Sequence, residues 1–479
     1  MDYIFTYPRD DFEAGKLKSS EVRKLIDKHE SELVPNLTKL IEYYMGQQDI
    51  NSSGDSTKPQ TVCNHAKDIS DTAAGYFLGS PISWKSVGDP ESEEDTETTR
   101  LDEQYNKLMD QFDYAEVNDT DQENALYLSI CGRSYEYVYA EEAEPELKTM
   151  TVDPLHTFVV CDESIEHREL FAVYYYYKKN DVAVQEDPKL YIKVMTDTEI
   201  LDWVLVGNED VEPERTPHNM GYIPIILYRN NKFCIGDFEQ QIGLIDAYNT
   251  LTSDRVQDKE SFIDAILVIY GSLLGDDPEK SEEALKEVRK KKLLELDDDA
   301  RAEYLTRTLD EGGMEVLRTA LKEDIYTFSH VPNLTDKNFA GNSSGVAMEY
   351  KLLGLEMLTK IKERWYRKSL RKRLKIFLHF YGIKGSSLKE ENLEAKFSRG
   401  LPKNIAELSQ IVTTLSGTVS KATLLSQIPF VEDPLAEIEA VKAENEEAIR
   451  QQQEMFMQQQ GLTQNNPPEE EEEEEELNG

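Results

Sequence analysis

Apolar residues recur every three or four positions over residues 20–46, where Leu33, Leu37, Leu40, Ile41 and Tyr44 share one helical face. Ser20 opens that stretch, and Pro35 kinks or divides it. The segment NHAKDISDTAAGYFLGSPISWKS predicts a helix ending near Gly79, with Pro81 just beyond. Residues 101–131 read as further helices. QQDINSSGDSTKPQ and the acidic GDPESEEDTET (88–98) are loops. Between 132 and 230 the period shortens to two. Tyr135, Tyr137 and Tyr139 lie on one face of a strand, and ELFAVYYYYKK, KLYIKVMTDTEILDWVLV and GYIPIILYRNN continue the pattern. A mostly antiparallel β region with hairpin connections is expected there.

After Gly236 the helical period returns. Asp237 reads as an N-cap with Gln240 three residues on. Phe238, Ile242, Ile245, Asn249, Thr252, Val256, Lys259, Ile263 and Ile266 then mark the seam of one helix over about 237–268. The seam is apolar at its ends and polar in the middle. That suits either core packing with one wet turn or contact with copies of the same helix. Residues 278–292 read as a short charged helix, 293–309 as a hairpin around an acidic turn. A helix over 312–330 carries Met314, Leu317, Leu321, Ile325 and Phe328 along one side. A small α/β insertion flanked by two helices suits a stalk with a separate tip.

The stretch NFAGNSSGVAMEYKLLG (338–354) joins a polar Gly/Asn/Ser loop to a helix over about 343–382. It is not a phosphate-binding loop, because Val346 and Ala347 follow Gly345 where a lysine and a hydroxyl are needed. Leu358, Ile361, Trp365, Leu370, Leu374 and Phe377 give the helix an apolar stripe, and cations crowd its second half. Among them Arg364, Arg367, Lys368, Arg371 and Lys372 read either as a DNA-facing element or as partners for acidic neighbours within or between subunits. Residues 400–460 are again helical, with few large apolar residues between Glu437 and Ile449. The tail 461–479 is low-complexity and expected to be disordered.

Charge narrows the function classes. The 479 residues carry 94 acidic and 53 basic side chains, a net charge of −41. Setting aside the eight glutamates of Glu469–Glu476 leaves −33. Such a chain does not bind nucleic acid by wholesale charge neutralisation, but it can surround nucleic acid without sticking to it. Cys63, Cys131, Cys161 and Cys234 have no Cys-x-x-Cys spacing, so free thiols are expected. No apolar run is long enough to span a membrane. The start MDYIFTYPRDDFEAG lacks the regions of a signal peptide, which points to synthesis inside the cell.

Catalytic chemistry finds no support. The seven histidines are scattered with no His-x-x-x-His pair. GNSSG lacks the preceding strand of a nucleophile elbow. Asp297, Asp298 and Asp299 read as turn solvation before metal ligation, and Asp153 near His156 implies no nucleophile. No catalytic residue, metal or cofactor is expected.

Five blocks occur in an order that carries a family likeness: IEYYMGQQDI, AKDISDTAAGYFLGSPISW, LIDAYNTLTSDRVQDKESFIDAILVIYG, NFAGNSSGVAMEYKLLGLE and LSGTVSKATLLSQIPFVEDPLAEIE. Over residues 35 to 440 the sequence resembles the portal proteins of tailed bacteriophages, in the branch typical of long-tailed phages of Gram-positive bacteria. The resemblance implies an α+β, mainly helical, ring-forming portal fold with a β-rich wing, a two-helix stem, a small α/β clip and a helical crown. It implies a ring, typically of twelve subunits, at the capsid portal vertex of the virion, assembled in the host bacterial cytoplasm. Such rings nucleate capsid assembly with major capsid and scaffold proteins. They dock the terminase large subunit, pass double-stranded DNA and later hold head-tail adaptor proteins.

By this likeness 1–29 is an N-terminal segment and 30–236 the wing. Residues 237–268 and 312–330 are the stem helices, 269–311 the clip and 331–344 the tunnel loop. The long wing helix and its return take 345–399, the crown 400–460 and the acidic tail 461–479. Asn338, Phe339, Gly341, Asn342, Ser343 and Ser344 would then face the DNA channel. A loop touching sliding DNA should lack fixed cations, which would hold phosphates, and no charged residue stands between Phe339 and Ala347. The alternatives are a loop that merely leads into the helix and, for the whole chain, an acidic monomeric interaction scaffold.

Overall fold

A computed structural model describes residues 4–52, 60–86, 95–141, 146–178, 189–205, 210–263, 266–270, 301–305, 311–334, 345–383, 388–390, 393–399 and 405–450, less 427, 429, 430, 432, 433, 435, 436 and 439. The chain forms two units. The larger spans residues 1–341 and 350–400, the smaller 342–349 and 401–479.

In the larger unit β1 (Phe5–Thr6) and α1 (Arg9–Glu13) precede α2 (Ser19–Glu32) and α3 (Val34–Tyr44). Pro35 does divide the first helical stretch. It sits in the opening turn of α3, where a missing N–H costs nothing. The expected boundary at 29/30 falls inside α2, which buries Val22, Ile26 and His29. The side chain of Asn64 caps α4 (His65–Leu78) by accepting from Lys67 N at 3.1 Å, and Gly79 ends the helix. β2 (Ser83–Ser86) follows. Then α5 (Asp95–Tyr114) starts inside the stretch expected as an acidic loop.

α6 (Val117–Cys131) stops at Gly132, whose φ of 70° turns the chain into the next strand. A Cβ there would lie 2.1 Å from the Cys234 carbonyl oxygen, so both conformation and space require glycine. The strands are β3 (Arg133–Ala140), β4 (Leu147–Val152), β5 (Thr157–Cys161), β6 (Glu169–Lys178), β7 (Lys189–Met195), β8 (Glu199–Leu205), β9 (Glu214–Pro217) and β10 (Ile225–Arg229). They form a three-stranded sheet, β10-β3-β4, and a six-stranded sheet, β1-β5-β6-β7-β8-β9. All pairings are antiparallel except β1 with β5, which is parallel. Tyr135, Val152, Val159, Ala172, Met195 and Ile225 fill the core shared by the two sheets.

Past the sheets the expectations need correction. A 3-10 turn, Glu239–Gln241, leads into α7 (Ile242–Ile263), so the helix is shorter than 237–268. Asp237 is not its N-cap, because its carboxylate is engaged by Ser129, Asn230 and Lys362. The polar middle of the seam is satisfied within the chain. Asn249 donates to Gln48 Oε1 at 2.5 Å and accepts from Cys63 N at 2.9 Å. This favours core packing over contact with copies at that point.

β11 (Ile266–Tyr270) pairs antiparallel with β12 (Arg301–Leu305). The second strand thus falls in 293–309, but this partner precedes that stretch. The expected charged helix at 278–292 lies outside the described residues. α8 (Glu311–Ser329) matches the helix expected over 312–330 to within one residue at each end. Of its supposed buried side, only Ile325 is buried, while Leu317 and Phe328 are exposed. α9 (Gly345–Ile383) is the long helix, and β13 (Leu393–Lys396) pairs back onto β2. In the smaller unit, α10 (Ile405–Leu415) turns through Gly417 into α11 (Lys421–Leu425), which Ser420 caps. Residues 440–450 are helical and exposed, in line with their few large apolar side chains.

His29 shows how tightly α2 meets the six-stranded sheet. Its ring stacks on Phe158 at 4.8 Å, and its Nδ1 lies 2.9 Å from the Tyr175 hydroxyl. Burial drives its pKa down to about 3, and the positive charge of Arg133 acts in the same direction. The unfolded chain takes up this proton near pH 6.5. Stability from the neutral ring is therefore full above that pH and is lost as pH falls toward 3. Chemical denaturation of wild type and His29→Gln at pH 7 and pH 4 is expected to show the wild-type advantage shrinking by about 3 kcal/mol. An advantage equal at both pH values would overturn this account.

Candidate functional site: the two faces of the long helix

The 39 residues of α9 extend about 58 Å at 1.5 Å per residue. Leu352, Leu355, Tyr366, Leu370, Leu374 and Phe377 are buried along the inward face. The expected apolar stripe is only partly right. Leu370, Leu374 and Phe377 are buried, Leu358 and Trp365 are half-buried, and Ile361 is exposed.

Two cations also point inward. Lys362 pairs with Asp237, both almost fully buried. The guanidinium of Arg373, 0% exposed, meets two carboxylates from different elements. Its Nη2 donates to Asp121 Oδ1 on α6 and to Glu136 Oε2 on β3, each at 2.6 Å. Its Nε donates to Glu136 Oε1 at 2.9 Å. Tyr366 donates to Asp121 at 2.5 Å and Tyr228 to Glu136 at 2.6 Å. Burial pulls the Arg373 pKa down, but the two carboxylates outweigh it and hold the group charged, well above the ordinary arginine value. Burial likewise raises both tyrosines. Sequence reasoning placed Arg373 among the crowded cations without seeing this role. The available signal was phase: Arg373 sits three residues from Leu370 and four from Phe377, on the buried face.

The five cations singled out from sequence fall into two sets. Arg367 is held by Glu363 at 2.8 Å, by the Ala395 carbonyl at 2.6 Å and by the Phe397 ring, so it clamps β13. Lys372 pairs with Glu169 and donates to the Ile225 carbonyl at 2.9 Å. Arg364, Lys368 and Arg371 are exposed and make no ion pair among the described residues. Lys368 rests over the Trp365 ring at 4.1 Å. Only this second set is available to an outside partner.

Asn338, Phe339, Gly341, Asn342, Ser343 and Ser344 lie outside the described residues. Their flanks line an open cleft of ≈ 780 Å³ between α8 and the start of α9, with Lys322, His330, Pro332 and Asn333 on one side and Lys351 and Gly354 on the other. Among the described residues no cluster of His, Cys, Asp or Glu is arranged to hold a metal ion. No described helix is long and apolar enough to cross a membrane. Cys131, Cys161 and Cys234 are buried free thiols, and Cys63 is a half-buried one.

A family model described as "Phage portal protein, SPP1 Gp6-like" matches residues 23–451. The chain is 25% identical over 470 residues to the "Portal protein" of Bacillus phage SPP1, an alignment covering 90% of this chain and 87% of that protein. It is 24% identical over 335 residues to the "Portal protein" of Clostridium phage phiCD119, covering 64% and 70% of the two chains.

The two sets of cations should separate in a stability measurement. Arg373→Met leaves two carboxylates buried without a counter-charge and is expected to cost about 3–5 kcal/mol. Lys368→Ala and Arg371→Ala, on the same helix, should each change stability by no more than about 0.5 kcal/mol. Denaturant unfolding of the three variants checks this, and similar losses in all three would refute the assignment of faces.

Proposed function

The chain belongs to the SPP1 Gp6-like phage portal protein family, and from that premise we propose that it forms a ring at one capsid vertex through which genomic DNA is packaged and ejected. The observation that carries this reading is the family match over 23–451, which takes in almost every described residue. In this reading residues 30–236 and 345–399 are the wing, 237–268 and 312–330 the stem, 269–311 the clip and 400–460 the crown. The ring is a structural part of the virion that docks terminase, holds head-tail adaptors and nucleates assembly with capsid and scaffold proteins. It carries out no catalysis of its own.

Two features agree with a conduit. A charge of −41 disfavours adhesion of DNA to the walls. Among the described residues Arg364, Lys368 and Arg371 are the α9 cations that make no ion pair, a small number against that charge, and they follow an apolar line rather than forming a broad basic surface. We assign Asn338–Ser344 to the channel as a tunnel loop whose uncharged amides and hydroxyls let phosphates pass.

Native mass and negative-stain imaging of the full-length protein test the ring. Closed assemblies of about a dozen subunits with a central hole are expected from the family premise. A 55.0 kDa monomer at all concentrations, also with scaffold and shell proteins present, would instead favour an acidic interaction scaffold. Asn342→Lys with Ser343→Lys tests the loop. Rings should form normally while DNA packaging stalls, and packaging at the wild-type rate would remove the loop from the channel.

A further inference from the structure

Two helix faces of the larger unit are exposed, and their chemistries match. On α9, Tyr350, Leu353, Met357 and Ile361 are exposed by 74, 51, 62 and 46%. Arg364, Lys368 and Arg371 continue that line. At 100° per residue all seven positions fall within an arc of about 80°, over a length of about 32 Å. The face is therefore apolar in its first half and basic in its second. Large exposed apolar side chains aligned in this way mark a contact surface rather than scattered surface residues.

The second face is on α8. Val316, Leu317 and Phe328 are exposed. Between them Glu323 and Asp324 are exposed and make no ion pair among the described residues. This face is apolar at both ends and acidic within.

We infer that the outward face of α9 in one copy docks on the outward face of α8 in a second copy of this chain. Charge selects the occupant. Two chains of −41 repel over most of their surfaces. Arg364, Lys368 and Arg371 are where an acidic helix of another copy gains attraction, and Glu323 and Asp324 supply that helix. One apolar end of α8 then covers Leu353, Met357 and Ile361. Because the two faces differ, the contact is heterologous: every copy offers one face and receives on the other, so a finite assembly closes only as a ring. The inference rests on the portal reading and adds which surfaces join neighbours.

A charge-swap series tests it in the full-length protein, read by native mass and analytical sedimentation. One variant carries R364E, K368E and R371E. A second carries E323K and D324K. A third combines all five. Wild type is expected to assemble, each one-sided variant to lose at least tenfold of its assembled fraction, and the combined chain to regain it. Recovery in the combined chain cannot come from misfolding, since that chain carries every substitution. L353E with M357E should also abolish assembly and should not be rescued by the α8 substitutions. If wild type forms rings and the one-sided variants do so equally, this contact is overturned while the portal reading stands. The same holds if the combined chain recovers nothing. A wild type that never assembles overturns both.

Discussion

One buried arginine holds the larger unit together. Asp121 and Glu136 come from a helix and a strand, and both accept from the same Nη2 of Arg373. Without that cation the two carboxylates would repel each other in a medium that screens them poorly. Three turns earlier Lys362 makes the same kind of bond with Asp237, at the point where the sheets hand over to α7. Both cations lie on α9, and the three acids lie on a helix, a strand and the link into α7, the segments that α9 must clamp. A slip of one turn, about 5.4 Å, would strand every one of these charges. The pairs therefore set the register of a long helix whose apolar contacts alone would tolerate sliding.

That constraint also gives the remaining cations their meaning. A positively charged helix in a strongly acidic chain has two ways to use its charge, and α9 uses both. Phase separates them. Side chains that point inward meet carboxylates, carbonyls or rings of other elements, while Arg364, Lys368 and Arg371, which point outward, make no ion pair among the described residues. The apolar residues obey the same division, so the outward line carries both attraction by charge and surface that water disfavours. Counting lysines and arginines along the helix merges these populations; their angle about the helix axis separates them.

Much of this was legible in the sequence, because the deciding forces are local. Pro35 divides two helices, Gly79 ends a third, and the tyrosine alternation of 133–140 marks a strand; each depends on a residue and its near neighbours. Failures came where a distant partner decides. Asp237 looked like a cap, but the Lys362 ammonium, 125 residues away, claims its carboxylate. Asn249 looked like a polar flaw in a seam, but Gln48 and Cys63 complete it. Residues 266–268 continued a helical period but pair with a strand about 35 residues later. Phe328 fitted a buried stripe and is exposed, because periodicity states which residues share a face and not what that face meets. The loop assigned to the channel rests on sequence and family likeness alone.

The parallel pairing of β1 with β5 has a consequence for handling the protein. Phe5 and Thr6 lie against Val160 and Cys161, and Tyr7 N donates to the Cys161 carbonyl at 2.9 Å. These few residues cover one margin of the six-stranded sheet. At the other margin β9 is short, exposed and ends in Pro217, which discourages further strand addition. The β5 margin has no such safeguard once β1 leaves. A fusion tag that pulls on the first residues, or a protease that nicks them, would bare unpaired backbone ready to recruit a strand from another molecule. Amyloid-like clumping would then be a hazard of preparation, set by where a purification handle is attached.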